Sequence, residues 1–390
     1  MKNAYLLSGT LLHAAFVAGI VHPGLLHTDD DFNRIRGYVE DAAEPWLTGW
    51  NKLAARANSS YEPNAAETVC RGASWCVPQN YPDLYRDAAA AYANAIYWKV
   101  TGETANGDAA ASILDAWSST LTTVTGSSDK YLAAGLYGYQ LANAAEILRD
   151  YDGWDGLTAT VDMMQSVFLP LNSDFLVAHN GAVIDHYWAN WDLCNLASLH
   201  AIGVLSDNQT AIDQSTDYFQ NGAGMGALDN LIWTLFTEEG SGKALGQGQE
   251  SGRDQGHSLL DFALAGVLAQ QSYNQGLDLF ALEDNRILAG AEYVFKYNTG
   301  HDVPYSTYTN SQGTMSVIGS SGRGAMRPIA ELLYAHYSGV KGLNASWTRE
   351  YRDLAVEDGG GAEGGGGDYG STSGGYDQLG FGTVLFRLDE

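Results

Sequence analysis

The stretch "LYRDAAAAYANAIYWKV", residues 84–100, places Leu84, Ala88, Ala91, Ala95 and Trp98 on one helical face. Pro82 stands where a helix starts and Gly102 where one stops. "YLAAGLYGYQLANAAEILRD", residues 131–150, repeats the rhythm through Tyr137, Leu141, Ala144 and Leu148. Working outward, the same period covers roughly 30–57, 104–121, 154–168, 187–206, 209–220, 225–237, 255–271, 282–298, 325–339 and 346–356. Convincing strand pairs are few. Many of these helices lack a strongly polar face, as a helix does when it packs on two sides. The expectation is an all-α chain: an α/α toroid, an incomplete barrel of about six to seven helix hairpins. "GFGTVLFRL", residues 380–388, reads as a short terminal strand. "DGGGAEGGGGDYGSTSGGYD", residues 358–377, reads as a flexible glycine-rich loop over about 358–376. No break in composition divides residues 21–390, so one domain is expected.

Composition narrows the function. The 390 residues carry a formal charge of −26, with 20 Lys+Arg against 46 Asp+Glu. A nucleic-acid partner is excluded, because no row of cations is offered to phosphates. Any polyanion would need a site where cations and amides are locally concentrated. "MKNAYLLSGTLLHAAFVAGIVHPG", residues 1–24, has one Lys before an apolar run that ends in small residues. It reads as a signal peptide over 1–20, cleaved around 18–20. A secreted, extracellular monomer without membrane association after cleavage is expected. Sequons at Asn58, Asn208 and Asn344 agree with glycosylation in that compartment. Cys70 and Cys76 flank "RGASW" and are expected to form a disulfide, while Cys194, in an apolar helical pattern, reads as a buried thiol. No Cys/His spacing fits zinc, and Asp29–Asp31 read as helix-start acids rather than metal ligands.

Three clusters hold residues suited to chemistry. "ESGRDQGH", residues 250–257, has Asp254 in position to cap a helix and His257 in its first turn. Arg253 is either a carboxylate fork or one side of a surface ion pair. "AHNGAVIDHYWANWDLCN", residues 178–195, brings together His186, Trp188, Asn190 and Trp191. Aromatic faces beside amides suit sugar rings, although helical tryptophans are also common in cores. "HDVPYSTYTN", residues 301–310, carries Tyr305 and Tyr308 on a loop.

Segments "HPGLLHTDDDFNRIR" (22–36), "NWDLCNLASLHAIGV" (190–204), "GQGQESGRDQGHSLLDFAL" (246–264), "NQGLDLFALEDNRILAGAEYVFKYNTG" (274–300) and "GFGTVLF" (380–386) resemble the alginate-lyase-domain family of polysaccharide lyases. More narrowly, they resemble its α/α-toroid branch of alginate and glucuronan lyases, from His22 to about Phe386. The resemblance implies β-elimination of a 1,4-linked polyuronate, an anionic polysaccharide, without metal or organic cofactor. It implies Asn190 and His257 as neutralisers of the substrate carboxylate. Tyr308 is implied as base and acid, with Tyr305 in reserve. Arg253 would orient the substrate or bias the tyrosine. Trp188, Trp191, Tyr305, His186, Gln255, Arg323 and Arg327 are the expected binding residues. Mannuronate and glucuronate share their configuration at C4 and C5, so the motifs point to a reaction more than to a sugar. Two rival readings are an inverting glycoside hydrolase, using Glu239 with Glu250 or Asp254, and a non-catalytic carbohydrate-binding protein built on the tryptophans.

Overall fold

The computed structural model describes residues 19–76 and 78–389; the proposed signal peptide lies, up to residue 18, outside the described residues. Helices α1 (Asp29–Glu40) and α2 (Trp46–Arg56) are followed by α3 (Tyr81–Thr101), α4 (Thr104–Thr120) and α5 (Asp129–Leu148). Next come α6 (Leu157–Met163), continuing through a π-turn into α7 (Leu169–Ala178), then α8 (Ala189–Leu205), α9 (Gln209–Asn221) and the single turn α10 (Leu228–Leu231). Helices α11 (Gln255–Asn274), α12 (Leu282–Asn298), α13 (Ala330–Tyr334), α14 (Ser346–Asp358) and the turn α15 (Gly382–Leu385) complete the order. The long helices pair as α1/α2, α3/α4, α5/α6–α7, α8/α9, α11/α12 and α13/α14, six pairs in chain order.

Helices α3, α5, α8 and α11 touch in succession, and α4, α7, α9 and α12 pack against this row. Every residue of α8, and nearly every residue of α5, is buried or half-buried, which explains their missing polar face. The arc closes where α15 contacts α1, α2 and α13. This is the α/α toroid expected from the helical rhythm. The start and stop signals also hold: Gly102 ends α3 in the left-handed conformation, and Thr28 and Asp31 form a capping box at α1. Asp31 of the acidic triplet also pairs with Arg34.

Four expectations need correction. The single helix over 30–57 is two helices, interrupted at residues 41–45. The helix over 225–237 is only the turn α10. It is followed by strand β3 (Ile232–Thr237), which pairs antiparallel with β4 (Ala244–Gly248). "IWTLFT" is rich in β-branched and aromatic residues, and the glycine-containing turn after it lets the chain fold back as a hairpin. The expected terminal strand is the helical turn α15, whose residues are all buried against the closure of the ring. The glycine-rich segment is packed rather than loose. Glu363 and Asp377 are buried, Tyr376 stacks on Tyr85 at 4.5 Å, and Gly365 bridges to Gly380. A Cβ on Gly365 would run into the Phe381 ring, so glycine serves close approach there.

Two further pairs, Thr68–Arg71 with Thr123–Gly126 (parallel) and Tyr308–Asn310 with Gly313–Met315 (antiparallel), decorate the helices. The structure joins Cys70 to Cys76 and leaves Cys194 a buried thiol, which burial pushes up in pKa. Asn58 and Asn344 are exposed. Asn208 is half-buried and caps α9 through Ala211 N. No described helix is long and apolar enough to cross a membrane.

Candidate functional site

The loop between β4 and α11 knits the candidate residues together, its side chains tying the start of α8 to Tyr308 and to Arg253. Gln249 is fully buried; its Oε1 accepts from Ala189 N at the start of α8 (3.1 Å). Its Nε2 donates to the Tyr308 hydroxyl oxygen (2.9 Å). Glu250, next in the chain and equally buried, accepts from Asn190 N (3.0 Å) and Asn190 Nδ2 (2.5 Å) with one carboxylate oxygen. Its other oxygen accepts from an Arg253 guanidinium nitrogen (2.7 Å). Arg253 lies 5.0 Å over the Trp188 ring, a cation–π contact that fixes the guanidinium from its other side.

Asp254 caps α11 as expected: its Oδ1 accepts from His257 N (2.9 Å), and its Oδ2 lies 2.6 Å from His257 Nδ1. Burial would raise this carboxyl. The hydrogen bonds from His257, with the charges of His257 and Arg253, outweigh burial and hold it down at about 2. Asp254 therefore stays ionised and orients the imidazole, leaving Nε2 free to turn outward. The side chains of His257 and Arg253 are 40% and 28% exposed, so both are reachable from solvent, whereas Glu250 behind them is not.

Tyr308 begins strand Tyr308–Asn310 and is half-buried against Trp233, with ring centroids 5.4 Å apart. Burial raises its phenol above the ordinary value, while the hydrogen bond from Gln249 works in the opposite direction. Gln249, which holds the phenol, and Glu250, which holds Asn190 and Arg253, are consecutive in the chain, so Tyr308 and the Asn190–Glu250–Arg253 group belong to one neighbourhood. The hairpin that carries Tyr308 reaches across to the loop before α8. Ser311 N donates to Asp185, and the Gln312 side chain donates to the His186 carbonyl (3.1 Å) and lies against its ring.

Other expected binding residues have their polar groups committed elsewhere. Gln255 is buried and spends its amide on Ser251 O, Gly319 O and Asn298, so it holds the loop together. Tyr305 donates its hydroxyl to Met315 O (2.9 Å) and packs against Gly252. Trp191 stacks in a cluster with Phe175 and Tyr187, the core use of a helical tryptophan. Arg323 folds back on Tyr297 O and His301 O, over the Tyr297 ring. Arg327 donates to Gly374 O and Gln378 and lies beside Gly256, close to the helix end that carries His257.

Gln249 and Trp233 are site residues that the sequence does not single out, and Glu250 enters its reading only as a hydrolase acid. Arg253 apart, the partners of Gln249 and Glu250 lie about sixty positions away in sequence, and no local pattern announces such contacts. A groove of 590 Å³ elsewhere, between α13 and α14, contains none of these groups. Glu350, Asp353 and Glu357 on its wall against the single Arg349 make it unsuited to an anionic chain.

No protein-family model matches the chain, and no curated protein matches it either. Solved structures do. An alginate lyase from Bacteroides ovatus superposes with a TM-score of 0.62 at 11% identity, over 95% of this chain and 100% of that one. Alginate lyase A1-III from Sphingomonas species A1 gives 0.55 at 14% identity, over 82% and 90%. A histidine-to-alanine variant of A1-III complexed with a tetrasaccharide gives 0.56 at 12% identity, over 83% and 89%. The protein has the α/α-toroid fold that these alginate lyases share.

Proposed function

We propose that the protein is a secreted polysaccharide lyase that cleaves β-1,4-linked polyuronates, polymannuronate or glucuronan, by β-elimination. The observation that carries this reading is the convergence of Asn190, Arg253, His257 and Tyr308 on one loop, 249–257, that fixes each of them. The proton at C5 of a uronate is weakly acidic while the neighbouring carboxylate is ionised. Donors on that carboxylate stabilise the charge that develops as the proton leaves. Asn190 spends one amide hydrogen on Glu250 and keeps a second for the substrate, and His257 adds its Nε2 side. Tyr308, as phenolate, takes the C5 proton. The C–H electron pair becomes the C4–C5 double bond, the C4–O4 bond breaks, and O4 takes the proton back from Tyr308. Gln249, donating to the phenol oxygen, favours the phenolate that burial opposes.

The glycoside-hydrolase reading finds less support. Glu250 is buried and occupied by three donors, Asp254 is committed to the cap, and Glu239 is exposed on the β3–β4 turn. The test is the digestion of polymannuronate, polyguluronate, glucuronan and hyaluronan by wild type, Tyr308→Phe and Tyr305→Phe. Tyr308→Phe should lose about 10²- to 10⁴-fold in kcat while still binding polymer, as removal of a general base does. Tyr305→Phe should lose only a hydrogen bond to Met315 O. Loss confined to Tyr305→Phe would reverse the assignment of the base.

A further inference from the structure

Several tyrosine hydroxyls in this acidic chain end on carboxylates: Tyr61 donates to Asp87, Tyr131 to Asp174, Tyr151 to Asp108 and Tyr218 to Asp192. Such an acceptor holds the phenol proton hard. Burial and the Asp174 bond push Tyr131 up to about 12, and the Asp108 bond with burial does the same for Tyr151. Tyr308 is bonded differently. Its oxygen accepts from Gln249, and its hydroxyl donates to the thioether sulfur of Met225, 3.3 Å away. A thioether is a weak acceptor, so it aims the hydrogen without gripping it.

Met225 is buried in "GAGMGAL", residues 222–228, between α9 and α10, and a buried carboxylate fixes this segment. Asp192, two residues beyond Asn190 on α8, accepts at Oδ2 from Gly226 N (2.9 Å) and from the Tyr218 hydroxyl (3.2 Å). His179 Nε2 lies 3.2 Å from Asp192 Oδ1 and 2.9 Å from the Tyr218 hydroxyl oxygen, completing the clamp. A Cβ on Gly224 would run into the Tyr218 hydroxyl and Asp192 Oδ2, and one on Gly226 into the Asp192 side chain. Glycine on each side of Met225 thus lets the segment lie directly on the clamp. Asn230 closes the turn by donating to Ala223 O and Gly224 O. The first turn of α8 therefore presents Asn190 and also seats the sulfur against Tyr308.

The carboxylates whose charge bears on Tyr308 are Asp185, on the loop before α8, and Glu250, on the loop before α11. Both favour the neutral phenol, yet its hydrogen is directed to sulfur. We propose that Met225, held by the Asp192 clamp, carries the Tyr308 hydroxyl hydrogen in the resting site and sets the pH at which Tyr308 becomes a base. When that hydrogen leaves to water, little bonding to sulfur is lost, and the Gln249 donor remains on the phenolate oxygen. This rests on the polyuronate-lyase reading. It adds Met225 as a group touching the reacting oxygen and Asp192 as a positioning residue.

The test compares wild type with Met225→Leu, which keeps the apolar bulk and removes the acceptor, Met225→Ala, which also admits water, and Asp192→Asn, which weakens the clamp. The Tyr308 ring is titrated by NMR with tyrosine labelled at the Cζ carbon, over the alkaline range in which the chain stays folded, and Tyr308→Phe assigns the signal. The acidic limb of kcat/KM on polymannuronate and glucuronan is followed in parallel, since it reports the same base. Met225→Leu removes a bond made only to the neutral phenol, so titration and limb should both move down by about half a unit. Met225→Ala should move them further, and Asp192→Asn in the same direction. An unmoved titration in both Met225 variants would overturn the proposal, and so would an upward shift in Met225→Leu. A lowered Tm with the limb in place would also overturn it, as the signature of a purely structural methionine. If Met225→Ala does not fold, Met225→Leu decides alone. Failure of the lyase reading is seen separately, as no unsaturated product from any polymer; the downward NMR shift then still establishes Met225 as the hydrogen's acceptor, and its absence removes that role.

Discussion

Glu250 with Asp261, and Glu331 with Glu363, are two buried acidic pairs that use the same electrostatics for different ends. All four side chains are buried. In each pair one carboxylate is surrounded by hydrogen-bond donors. Glu250 accepts from Asn190 and Arg253, and Glu331 from Thr383 and Arg387. The second member, Asp261 or Glu363, is pushed well above its ordinary pKa, first by burial and then by the acidic group beside it. The difference lies in what the donors do next. Asn190 and Arg253 belong to the candidate reacting site, while Thr383 and Arg387 belong to the C-terminal turn that closes the ring. One pair positions chemistry and the other fastens the fold.

The sharpest way to break this contrast is to replace the donor-bound member of each pair by its amide. Glu250→Gln and Glu331→Gln should each destabilise by about 3 kcal/mol, the scale for leaving a buried partner unmatched. Only Glu250→Gln should also lower kcat, by about 100-fold, through misplaced Asn190 and Arg253. Denaturant unfolding and steady-state kinetics on the same variants separate the two effects. Equal kcat in both would end the claim that Glu250 positions the site.

A smaller effect follows from the members with raised pKa. Their raised pKa means that the folded chain keeps protons that the unfolded chain releases above about pH 4. Their contribution to stability is therefore most favourable in acid and declines as pH rises toward the raised values. Asp261→Asn and Glu363→Gln replace each of these acids by a permanently neutral amide. Both should match wild type near about pH 4 and exceed it in Tm at alkaline pH. A gain confined to one pair would show that the two are not electrostatic equivalents.

Asp254 carries the opposite sign and the smallest effect. Its carboxyl, held at about 2 against an ordinary 3.8, adds stability above the ordinary value that is lost as pH falls through about 2. Asparagine also caps helices, so Asp254→Asn should keep the cap and cost about 1 to 2 kcal/mol, from the lost charge beside His257 and Arg253. In thermal unfolding followed across pH, the gap to wild type should close in strong acid. A gap that persists there would mean that the charge is not what matters.

Much of this architecture is legible in the sequence itself. Alanine-rich periodicity sets α3 and α5, and local spacing alone places Asp254 as the cap of α11. Residues 232–237 read as helix because a short apolar run has no period long enough to separate strand from helix. The glycine-rich segment reads as a loose loop because composition reports backbone freedom in the unfolded chain, whereas Gly365 is there to let Phe381 approach. Asn190 stands out as an amide between tryptophans, but its partner Glu250 does not, since their bond joins two distant segments. Gln255 carries the same sequence signal as its neighbours, yet packing turns its amide toward Gly319 and Asn298 instead of a substrate.

The most direct test of the central claim is to count both products of the same cleavage on polymannuronate and glucuronan. Elimination yields one C4–C5 double bond for every new reducing end, so ultraviolet absorbance and reducing-end assays should rise together in a one-to-one ratio. Reducing ends that accumulate without the absorbance would mean hydrolysis and would contradict the account.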